Sequence, residues 1–381
     1  MLICKICSYL CICLMRVKVF LILFCWLSFA LSFGQGRNNA ANGDSTDTKR
    51  IKLVALPVIY YQPETKWGAG AAGLLRFKQK SEPDSMRHSN VMFVLSGTQL
   101  GQILCGAPFQ MWFNKEKYNV YGEAAFQSIN YLFFGVGNHV PPYFRERYYA
   151  NNPRFKVNAL RRVYPHLYAG FKYMFDYTNI TQLNDTGMLI KGTIAGSKGG
   201  AVSGAGGTIK YDNRDNQFYA TKGYYVEVFA LANNKLIGSD YQFGKYSLDM
   251  STYVALPRKQ ILAFNAYGVI STGNVPFYQM ALLGGENHMR GLYQGRFRDK
   301  DCWVLQAEYR AHLFWRVGAV AFAGIGDIAP QLSQFNYKYT HLAFGGGIRG
   351  LVDKKQHLNL RFDAGYSNNK MNYYLTLGEA F

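Results

Sequence analysis

The sequence predicts an all-β protein, a transmembrane antiparallel β-barrel of about 16 strands, and three observations predict it. First, the 381 residues are 49% hydrophobic and 16% aromatic, with 29 Tyr, 27 Phe and 39 Gly. Only 17% are charged, against about 25% in soluble domains. Second, beyond residue 34 there is no stretch of about 18 uninterrupted apolar residues, so helices do not cross a bilayer here. Third, segments of about ten residues alternate apolar and polar positions with period two, as barrel strands do.

The first 34 residues read as an address. Lys5, Arg16 and Lys18 precede an apolar run from Val19 to Phe33, and Ser32 and Gly34 supply small residues before a cleavage point. This is the pattern of a secretory signal peptide, with cleavage expected after Gly34. Met15 starts a complete signal by itself, and a membrane anchor is the alternative. Phe24 stands before Cys25 where lipidation needs a small residue. Residues 35–50, with Asn38-Asn39 and Asn42-Gly43-Asp44, read as a flexible linker. Five of seven cysteines lie in the signal, and Cys105 and Cys302 are expected to remain as free thiols. Without the signal the chain keeps 39 basic and 23 acidic residues, a net +16. The basic residues are spread along the chain. Together with export, this argues against nucleic acid and for contact with anionic lipid headgroups.

From residue 51 to 381 the alternation is continuous. Leu167, Ala169, Phe171, Tyr173 and Phe175 oppose Tyr168, Gly170, Lys172, Met174 and Asp176. Tyr246, Leu248 and Met250 oppose Lys245, Ser247 and Asp249. Trp303, Leu305, Ala307 and Tyr309 oppose Cys302, Val304, Gln306, Glu308 and Arg310. Leu358, Leu360 and Phe362 oppose Asn359, Arg361 and Asp363. A soluble sandwich also alternates, but it rarely needs so many consecutive long strands. Sixteen strands are expected, near 51–61, 67–77, 91–100, 103–113, 117–127, 154–163, 166–176, 203–213, 223–232, 241–255, 259–271, 302–312, 316–326, 339–349, 356–366 and 372–381. Tight turns at 114–116, 164–165, 257–258 and near 353–355 mark the periplasmic rim, and the gaps 128–153, 177–202 and 272–301 mark the outer one. The gap 78–90 is long for a periplasmic turn. The last strand is expected to finish on Phe381, with Tyr373, Leu375 and Leu377 at two-residue steps before it and Glu379 interrupting that face.

The 272–301 gap contains Gly284-Gly285-Glu286-Asn287-His288-Met289-Arg290-Gly291-Leu292-Tyr293. With the turn from Tyr211-Asp212-Asn213-Arg214-Asp215-Asn216 to Thr221-Lys222-Gly223, and with Gln306-Ala307-Glu308-Tyr309-Arg310, it resembles the BamA/TamA family of outer-membrane barrels (bacterial surface antigen family). The resemblance spans 51–381. It implies that the loop carrying Arg290, Gly291 and Tyr293 folds into the lumen, where Arg290 meets acidic residues on the twelfth and thirteenth strands, here Glu308 and Asp327. Met289 stands where Val or Ile is usual, and Leu292 separates Arg-Gly from the aromatic Tyr293. The family's assembly members carry POTRA modules before the barrel, and residues 35–50 are too few to form one.

Other chemistry is sparse. No cysteine or histidine cluster has metal-ligand spacing, the seven histidines are scattered, and nothing marks a nucleophile. The glycine-rich stretch Gly196 to Gly207 lacks the Lys-Ser/Thr of a phosphate loop. The expectation is a non-enzymatic barrel without cofactors. The resemblance implies help in protein insertion or translocation at the outer membrane, with outer-membrane lipids, unfolded outer-membrane proteins or a separate periplasmic protein as partners. A passive channel and a surface-exposed interaction barrel are the alternatives.

Overall fold

The computed structural model describes residues 51–77, 86–141, 143–353 and 357–381. The signal and linker segments, residues 78–85 of the expected 78–90 gap, residue 142, and residues 354–356 of the expected turn near 353–355 lie outside the described residues. In chain order the strands are β1 (Ile51–Gln62), β2 (Lys66–Phe77), β3 (Ser89–Thr98), β4 (Ile103–Phe113), β5 (Tyr118–Phe133), β6 (Glu146–Tyr164), β7 (Leu167–Gln182), β8 (Gly200–Asp212) and β9 (Gly223–Asn233). They continue as β10 (Phe243–Leu256), β11 (Gln260–Gly273), β12 (Ala281–Leu283), β13 (Phe297–Asp299), β14 (Asp301–Phe314), β15 (Val317–Ala329), β16 (His341–Asp353), β17 (Leu358–Ser367) and β18 (Lys370–Leu377). All except β12 and β13 form one closed antiparallel barrel of sixteen strands, and those two pair with each other inside the loop between β11 and β14.

Period two decides which side chains meet lipid. On β14 Leu305 and Tyr309 are exposed while Gln306, Glu308 and Arg310 are buried. On β17 Leu360 and Phe362 face out while Arg361 and Asp363 face in. A closed barrel pairs the backbone of its strands with neighbours, as a lipid environment demands. Tight turns carry the left-handed residues that two-residue hairpins need: Asn368 and Asn369, at φ 48° and 59°, join β17 to β18.

Two outer loops are shorter than the sequence suggested. β5 and β6 continue to Phe133 and from Glu146, leaving 134–145, and β7 continues to Gln182, leaving 183–199. These upper stretches carry polar residues on both faces, including Asn130, Asn151, Asn152 and Asn179, so alternation did not reveal them. They hold as strands because Phe133, Tyr148 and Ala150 pack against Leu189 and Phe277 of neighbouring loops.

The last strand is also shorter than expected. β18 stops at Leu377, and Gly378 (φ 87°) turns the chain into the barrel mouth. Glu379 there accepts from Arg349 and Asn359 at 2.7 Å each. Phe381 packs beside a cluster of Ala220, Tyr253, Ile261 and Ala263. Tyr373 and Leu377 do face outward, and Leu375 lies opposite Tyr61.

Closure of the barrel is uneven. β1 pairs with β2 along all twelve of its residues, and β17 pairs with β18 along all eight residues of β18. Between β1 and β18 only Tyr61 and Leu375 are paired among the described residues. β18 is four residues shorter than β1, which limits any ladder to eight residues, and Pro57 in β1 has no N–H to give one.

Candidate functional site

The loop of residues 274–300 enters the lumen and rests against the wall formed by β14, β15, β16, β17 and β18. Its short β12–β13 pairing and an apolar cluster of Leu283, Met289, Leu292 and Phe297 with Cys302, Val304 and Ile328 seat its upper part. Cys302, placed by the sequence on a polar face, points inward as expected, but at that height the loop makes the interior apolar. Cys105 is exposed on the outer face, and neither cysteine is bridged.

Gln306, Glu308 and Arg310 project inward at two-residue steps and hold the next part of the loop. Gln306 donates to the Asn287 carbonyl at 2.8 Å and accepts from the Met289 N–H at 3.2 Å. Met289 sits in the left-handed region at φ 58°, which penalises β-branched residues. The departure from Val or Ile therefore suits this backbone. Glu308 accepts from Nη2 of Arg290. Its other oxygen accepts from Nε of Arg310 at 2.6 Å.

Arg290, 1% exposed, has a second carboxylate that the sequence did not single out: Nη1 donates to Asp363 of β17 at 2.7 Å. Its guanidinium also lies 3.8 Å from the centre of the Phe322 ring. Asp363 in turn accepts from Arg349 at 2.6 Å, and Arg349 reaches Glu379 at 2.7 Å. Arg361 donates to Thr376 at 2.6 Å and to Glu286 of the loop at 3.2 Å. Four guanidiniums (Arg290, Arg310, Arg349 and Arg361) thus face four carboxylates (Glu286, Glu308, Asp363 and Glu379). The set is neutral, as buried charge requires if it is to remain ionised.

Gly291 fixes the approach. Its N–H donates to the Tyr374 hydroxyl at 3.1 Å and its carbonyl accepts from Asn372 at 2.8 Å, both on β18. Its φ is 109°, and a Cβ there would stand 2.8 Å from backbone atoms of Gly365 and Tyr366. A Cβ on Gly365 would stand 2.7 Å from the Arg290 carbonyl. Loop and wall touch backbone to backbone, so both positions require glycine.

Asp327 does not join this site. It is buried at the outer end of β15, where it accepts from Asn138 at 2.7 Å and from its neighbour Ile328 N–H at 2.8 Å. Asn138 belongs to the 134–145 loop, so Asp327 ties that loop down over the lumen. It lies 19 residues past Glu308 on the next, antiparallel strand, opposite Trp303 rather than Glu308. The partner it was expected to be is Asp363. Tyr293 sits further out on the loop, edge-on to Phe134 with centroids 5.4 Å apart. Beside it the Gln294 N–H donates to Glu64 in the β1–β2 turn at 2.6 Å. Burial pushes the Glu64 carboxyl up to about 7, against a smaller opposing effect of that hydrogen bond. The loop therefore contacts both sides of the seam, β18 through Gly291 and the β1–β2 turn through Gln294. Arg361 and Asp363 were visible as inward charges in the alternation of β17; Arg349, Glu379 and Tyr374 carried no comparable signal.

A sixteen-stranded barrel with apolar side chains on its outer face and an arginine-anchored loop in its lumen defines a class: the outer-membrane β-barrels that fold one of their own loops inward. The Omp85 superfamily domain matches residues 107–379, and the chain belongs to that superfamily. Among solved structures it is similar to BamA from Haemophilus ducreyi lacking POTRA domains 1-3, with a TM-score of 0.57 and 12% identity over 86% of this chain and 70% of that one. It is similar to CdiB from Escherichia coli, with a TM-score of 0.58 and 11% identity over 89% of this chain and 66% of that one. CdiB from Acinetobacter baumannii gives 0.56 and 10% over 86% of this chain and 60% of that one. The chain spans less than two thirds of either CdiB, and at these identities the likeness is one of fold. No curated protein sequence matches it.

Proposed function

We propose that this barrel inserts or translocates polypeptide segments at the outer membrane, with the β1–β18 seam as its working edge. The observation that carries this reading is the seam itself, with one residue pair among the described residues where the two adjoining strand pairs, β1–β2 and β17–β18, have continuous ladders. Unpaired N–H and C=O groups along a strand edge are a template for another strand. The lumen loop supports the reading because it anchors on β18 and reaches the β1–β2 turn, bracing a wall that the ladder leaves weak. The clients would be unfolded outer-membrane proteins, and the role needs no catalytic group.

The test locks the seam. Tyr61→Cys with Leu375→Cys, in a Cys105→Ser background, places two thiols on directly paired residues. Under oxidising conditions the locked barrel should lower the amounts of several unrelated outer-membrane barrels, and reductant should restore them. An unchanged protein inventory, in both the locked strain and a deletion strain, would remove the insertion role. Conductance measurements on the purified barrel would then be next.

A further inference from the structure

The rim that carries the short turns and the end of β18 also opens into a cavity of about 530 Å³. Its charge is one-sided. Lys259, Arg310, Arg316 and Arg349 line it together with His312 and His357, and no carboxylate does so among the described residues. The nearest acids lie behind the arginines and are already engaged: Glu308 with Arg310, Asp363 and Glu379 with Arg349. Because the Arg290 network is neutral within itself, Lys259 and Arg316 are surplus charges, and neither forms an ion pair among the described residues. Among the described residues, Nη1 of Arg310, Nη2 of Arg349 and Nε of Arg316 also have no hydrogen-bond partner, and Arg349 Nη2 stands 3.6 Å from Glu308. Arg310 is engaged on its other side as well, donating to a backbone oxygen of Phe381 at 2.9 Å, so Lys259 and Arg316 are the cations left to meet an anion.

The outer side of the same rim is apolar. Leu313, Phe314 and Trp315 at the β14–β15 turn are 55%, 64% and 77% exposed, as suits side chains at a membrane interface. Arg316 follows directly, with its guanidinium 5.3 Å from the Trp315 ring centre. Ile261, Val320 and Leu351 complete an apolar section of the cavity wall. Cation inside and aromatic outside, separated by one turn, match an amphiphile with an anionic head.

We propose that this mouth binds the headgroup of an anionic phospholipid from the periplasmic leaflet. Its phosphate would lie against Arg316 and Lys259, and its acyl chains would pass over the turn to Phe314 and Trp315. The site stands apart from the proposed insertion role and does not depend on it.

The experiment uses the whole barrel in nanodiscs of equal phosphatidylglycerol and phosphatidylcholine, released for native mass spectrometry. The wild type should retain phosphatidylglycerol in preference to phosphatidylcholine. Lys259→Ala with Arg316→Ala should lower that retention about tenfold or more, since each basic residue near an anionic surface contributes appreciably. Lys259 is exposed and Arg316 half-buried, and both lie outside the buried network; heat-modified migration on a gel checks that the double variant is folded. Equal retention of the two lipids, or an unaffected double variant, overturns the proposal. So does displacement of phosphatidylglycerol by millimolar inorganic phosphate that binds equally well, which would assign the cavity to the free anion.

Discussion

Replacing Arg290 by alanine removes the side chain that fixes the loop in the lumen, and the structure bounds the cost. Two charge-assisted hydrogen bonds are lost, to Glu308 and Asp363, together with the contact to the Phe322 ring. Removing one partner of a buried ion pair costs about 3–5 kcal/mol. Neither carboxylate is abandoned, since Glu308 keeps Arg310 and Asp363 keeps Arg349, so Arg290→Ala should fall near the lower bound, about 3 kcal/mol. Glu308→Ala leaves three guanidiniums facing a missing charge and should cost about 5 kcal/mol. Because both belong to one network, the double variant should lose about 2 kcal/mol less than the sum. Asp327→Ala, in contrast, should add to Arg290→Ala without coupling, because Asp327 holds a different loop. Urea unfolding in detergent followed by tryptophan fluorescence gives these free energies, and band-shift temperatures on a semi-native gel give their order. Additive losses for Arg290 and Glu308 within about 0.5 kcal/mol, or strong coupling between Arg290 and Asp327, would refute the assignment.

Gly291→Ala should destabilise the loop seat by about 1–3 kcal/mol, because the left-handed backbone and the contact with Gly365 both resist a Cβ. Gly378→Ala, at φ 87° with open space around it, should cost less, and the same unfolding assay ranks the two. Asp327→Asn should leave Arg290 in place yet speed proteolysis within 134–145, where Asn138 loses a charged partner; equal cleavage rates would remove that role. Glu64 makes loop attachment pH-dependent. Burial raises its folded pKa from the ordinary carboxylate value of 4.5 to about 7, so between those values the folded state binds more protons, and stability falls as pH rises through that window. The barrel should be more stable at pH 5 than at pH 8 by up to about 3 kcal/mol. Glu64→Gln should flatten the profile, and an unchanged profile in that variant would place the dependence elsewhere.

The strands were legible because a barrel in lipid must put apolar and polar side chains on opposite faces at every second residue. Leu305 and Tyr309 against Glu308 and Arg310, or Leu360 and Phe362 against Arg361 and Asp363, announce an inside and an outside without reference to any neighbour. Alternation also gave the barrel its sixteen strands, and it failed where that constraint lapses. Above the membrane, β5, β6 and β7 run on with polar residues on both faces. At the foot of β18, Gly378 and not hydrophobicity ends the strand.

What the sequence could not decide is which inward charge meets which. Glu308 and Asp327 both lie on strands after the loop, and nothing local separates them. Register does: β14 and β15 are antiparallel, so Asp327 stands opposite Trp303 near the outer rim, while Asp363 shares Arg290 with Glu308 only because β17 closes the same wall three strands beyond β14. The seam is decided in the same way. Its strands can be read from the sequence, but the Tyr61–Leu375 pair, the one found among the described residues, follows from strands of unequal length meeting around a closed circumference, a constraint that exists only once the barrel has closed.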